Sequence, residues 1–269
     1  MAENIDEVVQ HYESTREEDR IASGFGQLEL LRTQEILTRY LPPAPAAIID
    51  VGGSTGVHAR WLAEAGFQVH IVDLTPRHVA KAQSDLAEFG VTAEVGDARR
   101  LSAGEASYDV VLLLGPMYHL QSRADRLAAF GEARRVVRPG GLVAVAAISR
   151  FASLFDGLAR EFLFDPEFQE VVVTDLEHGC HQNPNDRKGW FTTAYFHLAS
   201  DLRAEAEEAG LQVDDVFGVE GLARWLPHLA ERWESEDGRR TILDAARAVE
   251  TEPSLQGLSA HLLLVAHAR

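Results

Sequence analysis

Apolar and polar positions alternate along this chain in blocks whose period changes from helix-like to strand-like and back. A mostly polar stretch over residues 4–20 predicts a first helix. After the Ser23-Gly24-Phe25-Gly26 break, an amphipathic helix is predicted over 27–40, with Leu28, Leu31, Ile36 and Leu37 turned inward. Pro42, Pro43 and Pro45 end it. From there apolar strands at 47–51, 67–73, 92–95, 109–114 and 142–148 alternate with helices at 57–65, 76–89 and 124–137. Strand and helix in alternation mean βαβ units and a mainly parallel sheet covered on both faces. Over 151–190 the rhythm fails, and aromatic, acidic and Asn-Pro-Asn elements replace it. It resumes with a helix at 199–209 and strands at 211–219 and 261–267, separated by helices at 222–233 and 239–249. The expected organisation is helical for 1–45, a core over 46–150, a cap or lid over 151–198, and the rest of the core over 199–269 with a helical insertion at about 222–251.

Length and composition narrow this only in part. A chain of 269 residues, 46% hydrophobic, buries one sizeable core with room for a modest cap. Apolar runs such as Val110 to Leu114 and Leu142 to Ile148 are too short to cross a bilayer, and the opening MAENIDEVVQ has no signal-peptide core. A cytoplasmic protein without membrane association is expected. The single cysteine, Cys180, excludes an intrachain disulfide framework. A net charge of −17, from 42 acidic and 25 basic residues, opposes a phosphate backbone, so nucleic acid is not an expected partner. Arg99, Arg100, Arg134, Arg135 and Arg138 read as solvated surface.

Candidate chemistry begins at Asp50-Val51-Gly52-Gly53-Ser54-Thr55-Gly56, where a strand runs into a glycine-rich turn and then a helix. Glycines there allow positive φ and close approach of backbone to a ligand, and the helix N-terminus offers free N–H groups. Asp73 ends the next strand, where an acid can accept from both hydroxyls of an adenosine ribose. Each feature alone has a plain structural reading: the glycines as a strand-to-helix turn, Asp73 as a cap for the helix opening at Thr75-Pro76. Together, at the carboxyl ends of adjacent parallel strands, they point to a nucleoside-type ligand. NAD is the rival, but no register of Gly52, Gly53 and Gly56 supplies Gly-x-Gly-x-x-Gly.

With these residues in place, the chain resembles the class I S-adenosylmethionine-dependent methyltransferases over roughly Asp50 to Gly141. Asp50 through Gly56 resembles the family's Asp-x-Gly-x-Gly-x-Gly loop, with Ser54 in place of the middle glycine. Asp73, with Leu74 beside it, resembles the ribose acid. Gly96-Asp97-Ala98 resembles the segment whose acid takes the adenine amino group. Leu114-Gly115-Pro116-Met117-Tyr118-His119-Leu120 resembles the loop beside the transferable methyl, with Leu114 and Tyr118 against the cofactor, and Arg138-Pro139-Gly140-Gly141 resembles the turn before the fifth strand. The resemblance implies a doubly wound, Rossmann-like α/β fold: a seven-stranded, mostly parallel sheet whose last strand is antiparallel. It also implies S-adenosylmethionine as cofactor, S-adenosylhomocysteine as product, and N-terminal helices over the cofactor, where Tyr12 and Arg32 have a route to it, although helix packing or solvent exposure weighs more for both.

Methyl transfer is an in-line displacement, so alignment and exclusion of water matter most. The Asn/Asp-Pro-Pro-Tyr/Phe loop of nucleic-acid amino methyltransferases is missing, which leaves a small-molecule acceptor with oxygen, nitrogen and carbon all open. His119 is the first candidate for a general base, since histidine titrates near neutral pH. The cap supplies His178, Cys180, His181, Asn183, Trp190, Phe191 and His197 for an aromatic pocket with a few polar groups. His181 and Tyr195 are candidates for acceptor contact and Glu170 for a base. His178, Cys180 and His181 lack a fourth partner at a zinc spacing, so no metal is expected. Two other readings stand beside the methyltransferase: a nucleoside-binding protein without transfer activity, and a nicotinamide-dependent reductase. Oligomeric state is not readable from the residues.

Overall fold

The computed structural model describes residues 24–183, 185, 187 and 189–269. The helix expected near 4–20, and Tyr12 with it, lies outside these residues. Strands β1 (Ala47–Val51), β2 (Gln68–Asp73), β3 (Thr92–Val95), β4 (Tyr108–Leu113) and β5 (Val137–Ser149) are joined by parallel pairs. Ile48 faces Val69 on one side and Val110 on the other. The runs AIIDV and YDVVLL read as continuous rather than alternating because β1 and β4 are central and covered on both faces. Strands β8 (Leu211–Gly218) and β9 (His261–Ala268) complete the order β3-β2-β1-β4-β5-β9-β8, with β9 antiparallel to both neighbours. This is the seven-stranded sheet that the resemblance implies.

Helices cover both faces. Ile36 and Leu37 of α1 (Gly24–Thr38), Ala59 and Leu62 of α2 (Val57–Glu64) and Ala82 of α3 (Pro76–Asp85) pack in one apolar layer with Ile48, Val110 and Leu263. Ala129, Phe130 and Ala133 of α4 (Arg123–Val136) and Leu202 and Ala206 of α7 (Ala199–Glu208) form the other with Val111, Val143 and Leu264. Leu31 departs from the expected inward set, being 43% exposed, while Arg32 beside it is fully buried. Arg32 donates to the Val219 carbonyl and to Glu35 and Glu250, so it ties α1 to the end of β8 instead of reaching toward a cofactor.

Between 151 and 190 there is regular structure the pattern did not reveal. Helix α5 (Ala152–Ala159) follows β5, and α6 (Pro166–His178) begins at Asp165, whose side chain accepts from Glu167 N–H, with proline in its first turn. Strands β6 (Cys180–His181) and β7 (Ala194–His197) then form a ribbon that extends the end of β5, with Phe196 opposite Ile148. The fifth strand starts at 137 rather than 142, because Pro139 cannot continue a helix and Val137 pairs with Tyr108. The helix expected over 222–233 is a 3₁₀ turn, Gly221–Trp225, then Pro227, then the short α8 (Leu229–Trp233), before α9 (Glu236–Ala248). Among the described residues no helix is long and apolar enough to cross a membrane.

Candidate active site

One cavity of about 1050 Å³ opens at the carboxyl ends of the parallel strands. That position follows from topology, since the helices that follow β1 and β4 lie on opposite faces of the sheet where the strand order reverses. Gly52, at the end of β1, has φ +74, and a Cβ built on it would lie 2.7 Å from Pro116 Cδ and 3.1 Å from Pro116 N. The loops after β1 and β4 therefore meet at a point where only glycine fits. Replacing Gly52 with alanine is expected to cost about 1–3 kcal/mol of stability from strain and crowding. Denaturation midpoints check this, and a midpoint equal to that of the unaltered protein would contradict it.

Ser54, the departure from the glycine pattern, stands at φ 50, a left-handed conformation that costs a non-glycine residue roughly 1–2 kcal/mol. Its N–H donates to Asp73 Oδ2 at 2.9 Å, and its hydroxyl lies 3.3 Å from His78 Nδ1. Asp73 Oδ1 accepts from Thr75 N–H at 2.8 Å and lies 3.3 Å from the same histidine nitrogen. The ends of β1 and β2 are thus joined through one carboxylate. His78, buried in the first turns of α3, had no sequence signal beyond its closeness to Asp73.

Asp50 lies fully buried beneath the loop, and neither carboxylate oxygen meets a hydrogen-bond donor among the described residues. Burial, and then the charge of Asp73, push its carboxyl up to about 7. Asp97 differs. Burial raises it, but hydrogen bonds from the Arg99 side chain and backbone, with the Arg99 charge, hold it below the usual carboxylate range. Asp97, Ala98 and Leu74 line the same end of the cavity as Gly53 and Asp73.

The loop after β4 puts Leu114, Tyr118 and His119 on the wall further along. The His119 ring is stacked on Phe191 at 6.4 Å, and Tyr118 meets Phe191 edge-on at 6.3 Å. His181 lies on this wall too, 1% exposed, with Ser153, Phe168, Trp190 and Phe196. Two expected residues stand elsewhere. Glu170 is exposed on α6, because Phe168, Val172 and Asp175 take the inward face of that helix at spacings of four and three. Tyr195 is not on the cavity wall. The alternation of β7 sends Ala194 and Phe196 to the cavity side and Tyr195 the other way, where its ring lies under Arg126 at 3.5 Å and its hydroxyl accepts from Arg150. His178 is exposed to solvent while His181 is buried, so those two do not converge.

Other wall residues gave no signal in the sequence: Glu29, Arg224, Trp225 and His261. Glu29, Glu220 and His261 are the one group among the described residues whose ligand atoms fall within 4.8 Å of one another. The Glu220 carboxylate is filled by the Ser259 hydroxyl and by the backbone and ring nitrogens of His261.

A glycine loop, an acid at the end of β2 and a cavity at the strand ends define a nucleotide-type cofactor site on a doubly wound sheet. A sequence model of the methyltransferase domain matches residues 48–141. The chain is 27% identical over 188 residues to the ubiquinone biosynthesis O-methyltransferase of Xanthomonas axonopodis pv. citri, covering 69% of this chain and 70% of that one. In fold it is similar to an S-adenosylmethionine-dependent methyltransferase of Mesorhizobium loti, with TM-score 0.61, 16% identity and coverage of 89% and 99%. It is also similar to a methyltransferase of Methanosarcina mazei, with TM-score 0.59, 15% identity and coverage of 87% and 96%. Over residues 48–141 the chain carries a methyltransferase domain of the class I, S-adenosylmethionine-dependent kind. Its site fits that cofactor: the two unbonded oxygens of Asp50 suit a cationic amino group, and the crowding at Gly52 keeps side chains out of the loop.

Replacing Asp50 with asparagine tests that fit. A carboxyl raised in the folded state contributes stability below its unfolded value near 3.8, and this is lost as pH rises through about 7. Relative to the unaltered protein, the cofactor-free Asp50→Asn variant is therefore expected to gain stability between pH 5 and pH 8. Affinity for S-adenosylmethionine is expected to fall about tenfold at pH 8, the loss of one charge-assisted contact. Denaturation at the two pH values and calorimetry check these outcomes.

Proposed function

We propose that the protein transfers a methyl group to a hydroxyl oxygen of an aromatic small molecule in the cytoplasm. The observation that carries this reading is the continuity of the cavity. Its volume of about 1050 Å³ stands at the upper end of the ~300–1,000 Å³ typical of small-ligand sites, enough for two molecules end to end. One end is polar and acidic, with Asp50, Asp73 and Asp97; the other is walled by Tyr118, Phe191, Trp190 and Trp225.

At the acidic end, Asp73 would hold the ribose hydroxyls, Asp97 and Ala98 the adenine edge, and Gly52 to Gly56 with Asp50 the amino-acid portion. Leu74, Leu114 and Tyr118 would pack along the cofactor. S-adenosylmethionine supplies an electrophilic methyl on a sulfonium, which an acceptor oxygen lying in line takes with a lone pair. The aromatic wall holds a flat acceptor and excludes water from the line of transfer. The name of the Xanthomonas relative favours oxygen over nitrogen or carbon. His119 and His181 are the candidates for taking the hydroxyl proton. Residues 151–198 and 222–251 would act as the cap that selects the acceptor.

Thermal denaturation with S-adenosylmethionine, S-adenosylhomocysteine and NADPH tests the first half. The two adenosyl-sulfur ligands at a hundred times their dissociation constants should each add about 2.7 kcal/mol, and NADPH nothing. Release of S-adenosylhomocysteine with a panel of phenols, catechols and aryl amines tests the second half. Turnover confined to amines would replace oxygen with nitrogen as the acceptor atom.

A further inference from the structure

We infer that Ser153, Asp175 and His181 form one proton-accepting unit in the acceptor half of the cavity, with His181 Nε2 as the atom that takes the acceptor's hydroxyl proton. This rests on the hydroxyl-methylating reading above. The three residues come from three elements: the first turn of α5, the last turn of α6, and β6. All are buried, Asp175 completely. Asp175 Oδ2 lies 2.8 Å from His181 Nδ1 and accepts from the Ser153 hydroxyl at 2.5 Å. Its other oxygen, Oδ1, is buried and meets no donor among the described residues.

A carboxylate in this position makes Nδ1 the protonated nitrogen of a neutral ring and leaves Nε2 as the acceptor. The ring is stacked on Phe196 at 4.7 Å with planes 18° apart. Nε2 lies 3.3 Å from the Phe191 carbonyl. Two acceptors facing each other at that distance gain nothing from the neutral ring. Once Nε2 carries a proton, its new N–H has the Phe191 oxygen to donate to, and the half-bonded Asp175 faces a positive ring. Both ring hydrogens then have acceptors, Asp175 Oδ2 and the Phe191 carbonyl. A clamp serving only to hold the cap would not need Ser153 and His181 on the cavity wall, where both lie.

In the step, the acceptor O–H bond breaks, the proton passes to Nε2, and the oxygen keeps the electron pair with which it takes the methyl as the methyl–sulfur bond breaks, its pair staying on the sulfur of the departing S-adenosylhomocysteine. The proton afterwards leaves to solvent at the cavity mouth. Asp175 and Ser153 are positioning residues, which act through the ring.

The test uses 4-nitrophenol, whose absorbance reports ionisation, added to the full chain saturated with S-adenosylhomocysteine one pH unit below the ionisation of the free phenol. The phenolate band of the bound probe should rise at least threefold over free probe in the unaltered protein. It should return to the free value in His181→Ala and fall by half or more in Asp175→Asn. With a phenol that turns over, His181→Ala should lose about 10²–10³ in kcat, with added imidazole restoring part of it, while Asp175→Glu keeps more activity than Asp175→Asn. Stabilisation by S-adenosylhomocysteine is the control that separates the two ideas: its absence from the unaltered protein would remove the methyltransferase reading itself. If stabilisation is present but the bound probe shows no phenolate band, or shows the same band in His181→Ala, the proton-accepting unit is overturned.

Discussion

Replacement of Asp73 with alanine is expected to weaken S-adenosylmethionine binding by at least a hundredfold and to abolish stabilisation by S-adenosylhomocysteine. Two losses combine. A buried carboxylate that accepts from ligand hydroxyls is worth about 1.5–3 kcal/mol per bond, so losing two such bonds accounts for two decades or more in affinity. The same carboxylate also receives the Ser54 and Thr75 N–H groups, so without it the left-handed Ser54 loses its tether and the loop its ligand-free shape. Asp73→Asn keeps an acceptor and should fall between the two. Calorimetric titration of each variant decides the matter; affinity within threefold of the unaltered protein in Asp73→Ala would mean that the ribose is held elsewhere.

The largest effect on stability is expected from Arg126→Ala. Arg126, 2% exposed, donates to Glu205 from Nε at 2.9 Å and from its terminal nitrogen at 2.8 Å. Its other terminal nitrogen reaches the Leu120 and Gln121 carbonyls at 3.0 and 2.7 Å, just beyond the His119 loop. Removing it leaves a buried carboxylate without its bidentate cation and takes the donor from two carbonyls, a loss on the order of 3–5 kcal/mol and ~10 °C in midpoint. His197, also against Glu205, does not take over: burial is the main cause of its lowered pKa, so the buried positive charge opposite Glu205 is that of Arg126, with the exposed Arg123 further off at 3.9 Å.

Glu205 carries a pH signature. Burial raises its carboxyl, but hydrogen bonds from His197 and Arg126, with the Arg126 charge, outweigh this and bring it down to about 2. A carboxyl lowered by folding contributes fully above its unfolded value of about 4.5 and loses that contribution as pH falls toward 2. The stability gap between the unaltered protein and Glu205→Gln should therefore be constant above about pH 5 and close below it. A gap that persists at pH 2.5 would show that the pair acts through shape rather than charge.

The sheet and the cleft at its strand ends were legible because their signals are local. Apolar runs ending in glycines or an acid mark parallel strands and their carboxyl ends, and 47–56, 73 and 96–98 all carry such marks. The cap was opaque for a different reason. In 151–190 aromatic residues face both the cavity and the cap's own interior, so no single face is apolar, and the start of α6 showed only in Asp165-Pro166. Tyr195 and Phe196 illustrate the limit. A four-residue strand of mixed character can be assigned either phase until its neighbour is known, and the pairing of Phe196 with Ile148 is what fixes it. Asp175 reads in isolation as one more solvated acid. Its spacing from Phe168 and Val172, seven and three residues along one helix face, was the available signal that it points inward, and the same periodicity places Glu170 outside.

Strand β9 lies between β5 and β8 although it comes last of the seven in chain order. During synthesis β5 and β8 leave the ribosome first, each with an edge reserved for a partner not yet made. Leu142 to Ile148 therefore waits as an apolar, unpaired edge while more than a hundred residues are added, the kind of surface that chaperones capture and that pairs with the wrong chain. The sheet closes only after His261 to Ala268 emerges, so its last pairing forms after every other strand has been made. Chains arrested before that strand should remain protease-sensitive throughout 211–218, with protection appearing in one step when β9 is released.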